Sequence, residues 1–220
     1  MSTATLTDIN ASRGHDAKRR SIVEAAASVF CREGFGGANI DMIAAEAGVS
    51  RQTIYNHHGD KETLFTSVLS ELTERMNTGM FRVLGTFPEN PVDLQAELTA
   101  FAVRMFENCV CNRDGKFLRK LIQSEGDRYP ELFATWLRDG PARTTSGLAA
   151  RFARLALQGL LEITDPDVAA RQFMALVRAD LEPGLTVGMN ACGAEVEKSA
   201  ANGVKAFLRI YGKRHPLSTS

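Results

Sequence analysis

Apolar residues recur at helical spacing along nearly the whole chain, and glycine or proline marks each interruption. From Asp16 the positions Ile22, Ala26, Val29 and Phe30 share one helix face, and the run stops at Gly34, a residue suited to closing a helix. Gly36 and Gly37 extend the break. This GFGG cluster lacks the Gly-Lys-Ser/Thr ending of a phosphate loop, so it reads as a tight inter-helix turn. Asn39 can cap a second, short helix carrying Ile40, Ile43, Ala44 and Ala47. Gly48 ends that helix, Ser50 can cap a third, and Ile54 supplies the third helix's buried side. After Asp60 a longer run passes through Leu64, Phe65, Val68, Leu72 and Met76 towards Leu84, and Pro88 and Pro91 close it.

The rest of the chain keeps the same period. Leu94, Leu98, Phe101, Met105 and Phe106 predict one helix, and Phe117, Leu118, Leu121 and Ile122 the next. Pro130 suits a first helical position and leads into Leu132, Phe133, Trp136 and Leu137. Gly140–Pro141 breaks that segment before Leu148, Phe152 and Leu155 resume it. Asp165–Pro166 opens a run through Val168, Phe173, Met174, Val177 and Leu181, with a bend near Pro183. The last helix holds Val196, Ala200, Val204, Phe207, Leu208 and Tyr211. No segment alternates with the period of a strand, so the predicted fold class is all-α.

Composition narrows the picture. With 220 residues, 44% of them hydrophobic, the chain can bury one large core or two modest ones. Lys plus Arg and Asp plus Glu number 26 each, so any polyanion-binding site must gather its cations locally. The opening MSTATLTDINASRGHDAKRR has no apolar signal-peptide core, and no stretch approaches the ~20 apolar residues of a membrane span. A soluble, cytoplasmic protein is expected. Cys31, Cys109, Cys111 and Cys192 form neither a CxxC pair nor finger spacing. On a helix Cys109 and Cys111 diverge by about 200°, so they cannot clamp one metal. Buried reduced thiols are the expectation, with a redox switch as the alternative. No metal and no cofactor is expected.

Three short helices with glycine at the second turn have the form of a helix-turn-helix. Within AAEAGVSRQTIYNHHGDKETLF, Ala44, Ala45 and Ala47 let two helices cross closely, Gly48 permits the turn, and Val49 and Ile54 anchor the second helix. Arg51, Gln52, Thr53, Tyr55, Asn56 and His57 then face outward, donors and acceptors suited to base edges and phosphates. The plainer alternative is that Tyr55 and His57 are half-buried packing residues. Adjacent His57 and His58 diverge by about 100° on a helix, which makes a shared metal unsuitable.

The segment RRSIVEAAASVFCREGFGGANIDMIAAEAGVSRQTIYNHHGDKETLF resembles the DNA-binding domain of the TetR (tetracycline-repressor) family. The likeness lies in the first helix (Ile22 to Phe30), Gly34–Phe35, the stretch Ile43 to Ser50, Tyr55-x-His57 and Lys61. LIQSEGDRYPEL, GPARTTSGLAARF and DPDVAARQFMALVRADL resemble the effector domains of AefR-like members. Two positions depart from the family pattern. His58 stands where an aromatic Phe is usual, and it can titrate near neutral pH. Asn39 replaces a common Thr but caps equally well.

The resemblance implies an N-terminal three-helix helix-turn-helix DNA-binding domain at residues 16–62. A larger helical effector-binding and dimerisation domain would follow at 63–213, with a flexible arm at 1–15 and a flexible tail at 214–220. It implies phosphate contacts by Asn39, Tyr55, His57 and Lys61 and base contacts by Arg51, Gln52 and Thr53, with Ser50 and Asn56 beside them. Arg13, Lys18, Arg19 and Arg20 form the basic cluster near this module, either an arm reaching DNA or a solvated tail. Residues 1–65 hold seven Lys or Arg against eight Asp or Glu, so Asp41, Glu46 and Glu62 are expected to turn away from DNA.

For the C-terminal half the resemblance implies a homodimer and a small-molecule effector. Ser199, Ala200, Gly203 and Ala206, with Ala169, Phe173, Val177 and Leu181, are the expected dimer faces of the last two helices; the alternative is that both bury internally. Phe101, Met105, Phe106, Phe117, Leu121, Trp136 and Phe152 are candidate pocket residues or plain core. Gln123, Arg143 and Arg178 are the candidate polar contacts, Arg178 alternatively an ion-pair partner. The expected function is a repressor released from operator DNA by an effector. An enzyme reading would need His57, His58 or a cysteine as the catalytic group, and no motif supplies the partners. A helical small-molecule or redox module that no longer reads DNA is the third reading.

Overall fold

The computed structural model describes residues 6–189 and 191–213, with side chains from Ala17 onward. Among the described residues the chain is helical almost throughout. The elements are α1 (Leu6–Gly37), α2 (Ile40–Ala47), α3 (Arg51–His58), α4 (Lys61–Leu84) and α5 (Leu94–Phe106). A π-helical segment (Glu107–Cys111) follows, then α6 (Arg113–Glu125), α7 (Pro130–Asp139), α8 (Pro141–Leu157), α9 (Pro166–Arg178), α10 (Glu182–Thr186) and α11 (Ala194–Tyr211). The starts obey local chemistry. Asp93 and Asp165 each accept a backbone N–H from the first turn they cap, at 3.0 Å, and Pro141 and Pro166 occupy first helical positions where no N–H is needed.

Three features differ from expectation. Helix α1 begins at Leu6, not Asp16, so residues 6–15 of the expected arm are helical in backbone; residues 1–5 and the expected tail 214–220 lie outside the described residues. Two compact units are present, and the first takes in the chain to Glu74 together with Phe117–Phe133, well beyond the expected limit at 62. The five-residue π-helical turn has no signature in the apolar period, because it arises from one inserted residue rather than from a change of face.

The first unit is centred on Ile22, Val29, Phe30, Phe35, Ile43, Ile54, Leu64, Phe65 and Val68, all buried. Phe30 and Phe35 each meet Phe65 edge-on with ring centres 5.1 Å apart, and Tyr129 stands 5.2 Å from Phe65. Such ring pairs add about 1 kcal/mol each beyond the area they bury.

The second unit packs Phe87, Phe101, Phe152, Phe173 and Phe207 into one aromatic core. Phe152 stacks on Phe207 at 4.9 Å, and Phe173 meets Phe207 edge-on at 5.1 Å. Here the small-residue face of α11 is used within the chain. A Cβ at Gly203 would lie 2.4 Å from Val177 Cα, and the Ser199 hydroxyl donates to the Val177 carbonyl at 2.8 Å. Ser199, Ala200, Gly203, Ala169, Phe173 and Val177 are all buried between α11 and α9 or beside them. The dimer face expected from these residues is therefore corrected: they are internal core, and small size serves the close approach of two helices of one chain.

Candidate nucleic-acid interface

The α2–turn–α3 module is built by three short-range devices. Asn39 Oδ1 accepts the Met42 N–H at 2.9 Å and opens α2. Gly48 closes it at φ 66°, ψ 34°, a left-handed conformation that costs a residue with a Cβ roughly 1–2 kcal/mol. Ser50 Oγ then accepts the Thr53 N–H at 3.1 Å and opens α3. Ile54 and His58, one turn apart, are the buried residues of α3. That choice of inner side decides the outer one: Arg51, Gln52, Tyr55 and Asn56 are exposed, Tyr55 at 39%. Thr53 and His57 are half-buried at the flanks, as is Val49 at the turn.

The outer face carries its own polar contacts. Gln52 Nε2 donates to Asn56 Oδ1 at 2.8 Å. Arg51 Nε lies 3.0 Å from Asp41 Oδ1, and hydrogen bonding to Tyr55, then the Asp41 charge, hold its guanidinium more firmly protonated than usual. Asp41 is thus beside α3 rather than turned away from it. Glu46 is occupied by Arg32 at 3.1 Å. Lys18, Arg19 and Arg20 are exposed on α1, whereas the Arg13 side chain lies outside the described residues.

Lys61 is engaged within the chain. Its ammonium donates to the Phe35 and Ala38 carbonyls at 2.8 and 2.9 Å and sits 4.4 Å from the centre of the Phe35 ring. These groups lie where α1 gives way to α2, so the lysine closes the end of α1. His58 is also structural. It is 6% exposed, and its Nε2 has no hydrogen-bond partner among the described residues. Burial, then the His57 and Arg19 charges, push its pKa down, so the neutral imidazole is the form that fits.

Residues that local patterns did not single out hold the module from the end of α6 and the turn after it. Gly34 breaks the α1 helix at φ 70°, ψ 170°, which turns the Phe35 N–H out of the ladder. Glu125 Oε1 accepts that N–H at 2.9 Å from a buried position. Arg128 lies 4.7 Å over the Phe35 ring. The partners are about 90 positions apart in sequence, beyond any local pattern.

The expected effector contacts fall in both units. Phe117, Leu121 and Gln123 belong to the first, half-buried, buried and exposed respectively. Phe101, Met105, Phe106 and Phe152 are buried in the solid core of the second. Trp136 is half-buried, and Arg178 is exposed and pairs with Glu182 at 2.7 Å. Arg143 lines a small surface pocket with Asn77, Met80, Phe81, Leu84, Gly140 and Thr144. Seven of the ten candidate contacts thus fall in the second unit and three in the first.

Among the described residues no cluster of His, Cys, Asp and Glu could hold a metal ion, and no helix is long and apolar enough to cross a membrane. Residues 22–68 match the family described as bacterial regulatory proteins, tetR family, and residues 96–213 match the AefR-like transcriptional repressor C-terminal domain. The HTH-type transcriptional repressor SCO4008 of Streptomyces coelicolor is 48% identical over 61 residues, 28% of this chain and 32% of that protein. The chain thus aligns with about a third of SCO4008. The HTH-type transcriptional activator FasR of Mycolicibacterium smegmatis is 28% identical over 158 residues, 68% of this chain and 69% of that one. A crystallised TetR-family transcriptional regulator from Mesorhizobium loti superposes with a TM-score of 0.78 at 28% identity, covering 90% of this chain and 98% of the other.

Proposed function

The chain belongs to the TetR family of bacterial regulators, and from that premise we propose that it is a sequence-specific DNA-binding repressor released from its operator by a small-molecule effector. The observation that carries this reading is the division of α3 into an anchored side, Ile54 and His58, and an exposed polar side. An exposed row of Arg51, Gln52, Tyr55 and Asn56 offers donors and acceptors to base edges in a major groove. Arg19, Arg20 and the N-terminus of α2 at Asn39 supply backbone contacts. Ser50, Thr53 and His57 shape the helix start and its flanks.

The protein acts in the cytoplasm as a homodimer, since two reading helices must meet half-sites about 34–36 Å apart or further. Its dimer surface is the outward side of α9 and α11, where Arg171, Ala175, Ala201 and Ile210 are exposed. The effector binds the second unit. Arg143, Asn77 and Thr144 with Met80, Phe81 and Leu84 combine polar and apolar groups at one pocket mouth, and a ligand there must widen the pocket to bind. Helices α4, α6 and α7 each contribute residues to both units, which supports transmission along continuous helices. An effector that favours one arrangement of them shifts the population away from the DNA-competent state. The reading works by binding alone, without covalent chemistry.

Selection of bound fragments from random duplex DNA tests this directly. Enrichment of a two-fold symmetric site is expected, and Arg51→Ala should relax preference at one or two of its base pairs. Recovery of unselected fragments only would refute sequence reading.

A further inference from the structure

Cys111 and Cys192 are far apart in sequence, yet the fold sets them side by side. Cys111 closes the π-helical segment, and its Sγ donates to the carbonyl of Ala191, the neighbour of Cys192, at 3.4 Å. The Cys192 thiol is a hydrogen-bonding neighbour of the same sulfur. Both thiols are free; Cys192 is exposed and Cys111 half-buried. Cys192 lies in the connection between α10 and α11, outside regular structure. A side chain there can turn to the roughly right-angled dihedral of a disulfide without breaking a helix. The exposed cysteine also departs from the expectation that all four thiols are buried.

We propose that Cys192 and Cys111 form an oxidative modification site: a hydroperoxide oxidises Cys192, and Cys111 resolves the product to an intramolecular disulfide.

The assignment of roles follows from surroundings. Burial first, then hydrogen bonding to Cys192, push the Cys111 thiol up to about 12. It is a proton-bearing donor, and the exposed sulfur is the one a peroxide meets. In the first step Cys192, as thiolate, attacks one peroxide oxygen. A sulfur–oxygen bond forms, the O–O bond breaks, and the departing alkoxide takes the proton that the thiol released. Cys192 is left as a sulfenic acid. In the second step the Cys111 sulfur attacks the Cys192 sulfur, the sulfur–oxygen bond breaks, and hydroxide leaves with the Cys111 proton as water. The two sulfurs together lose two electrons, and the peroxide becomes an alcohol and water. Cys31 and Cys109 serve as internal controls. Cys31 is buried with its thiol pushed up to about 11 by burial, and Cys109, in the π-helical segment, donates to the Met105 carbonyl of α5 at 2.7 Å.

The test treats the purified full chain with tert-butyl hydroperoxide under denaturant-free conditions, followed by alkylation and peptide mass mapping. The expected result is loss of both thiols, with the Cys111 and Cys192 peptides joined within one chain and Cys31 and Cys109 still alkylated. Cys111→Ser should stop at a Cys192 sulfenic acid that a dimedone probe traps. Cys192→Ser, a change at an exposed position, should leave Cys111 reduced. A wild-type chain whose Cys192 stays singly oxidised, whose disulfides join other pairs or two chains, or whose Cys111 is consumed without Cys192 overturns the proposal. The outcome is independent of whether the chain binds DNA.

Discussion

Helix α3 and the α9–α11 pair use comparable sequence material to opposite ends. On α3, Ile54 and His58 are buried and the remaining side chains face outward or lie at the flanks. Between α9 and α11 the small residues are spent inside the chain, with Gly203 against Val177 and Ser199 on its carbonyl. The contrast separates two kinds of sequence signal. A polar row on a helix with one anchored side stays at the surface even where its members pair with one another or, like Arg51 with Asp41, with a neighbouring helix. A stripe of small residues only reports close approach, and it reads the same whether the neighbour belongs to the same chain or to another.

The largest effect that would sharpen this contrast is at the internal contact. Gly203→Val should destabilise the protein by about 3 kcal/mol through overpacking, read by denaturant unfolding, whereas Ala150→Val, at an exposed position of α8 away from the proposed dimer surface, should change little. Equal effects at both positions would erase the distinction between inner and outer faces. Next comes Lys61→Met, which removes two hydrogen bonds made by a charged group and should cost about 2.5 kcal/mol of stability. It should leave the salt dependence of DNA binding unchanged. A fall of the salt slope by about one unit would instead restore the phosphate role.

Arg51→Ala is expected to cost about 1.5 kcal/mol of discrimination at one or two base pairs, with no change in unfolding free energy. A loss spread evenly over all duplexes would place Arg51 on phosphate. The smallest effect concerns His58, whose buried Nε2 lacks a hydrogen-bond partner among the described residues. His58→Phe should gain about 1 kcal/mol. It should also flatten the acid limb of stability. Burial depresses the folded-state pKa below the usual 6.5, so the unfolded chain binds the proton more readily. Stability from the neutral imidazole is complete above about pH 6.5 and declines as pH falls towards the depressed folded value. Unfolding at pH 5 and 8 compares the two variants, and an identical pH dependence would show that His58 is not the group responsible.

The readable parts of this molecule were those decided within a few residues. Asn39, Gly48 and Ser50 announce their caps and turn because each acts on a backbone group three or four positions away, and Pro130, Pro141 and Pro166 announce helix starts for the same reason. The outward face of α3 was legible because Ile54 identifies its inner side. The role of Lys61 was not, since the carbonyls it closes are more than 20 positions upstream. Glu125 on the Phe35 N–H, and Cys111 beside Cys192, depend on packing between distant elements in the same way. Phe101, Met105 and Phe152 look alike as core or pocket lining until their neighbours are known, and here those neighbours are one another's rings and aliphatic chains.

Binding of the purified protein to its selected duplex, titrated over a salt series, tests the outward face of α3 most directly. Affinity should fall linearly with salt on logarithmic axes, and Arg51→Ala should lose the preference for the selected sequence while keeping that slope. A protein that fails to retain any duplex at the lowest salt, with α3 intact by circular dichroism, would contradict the account.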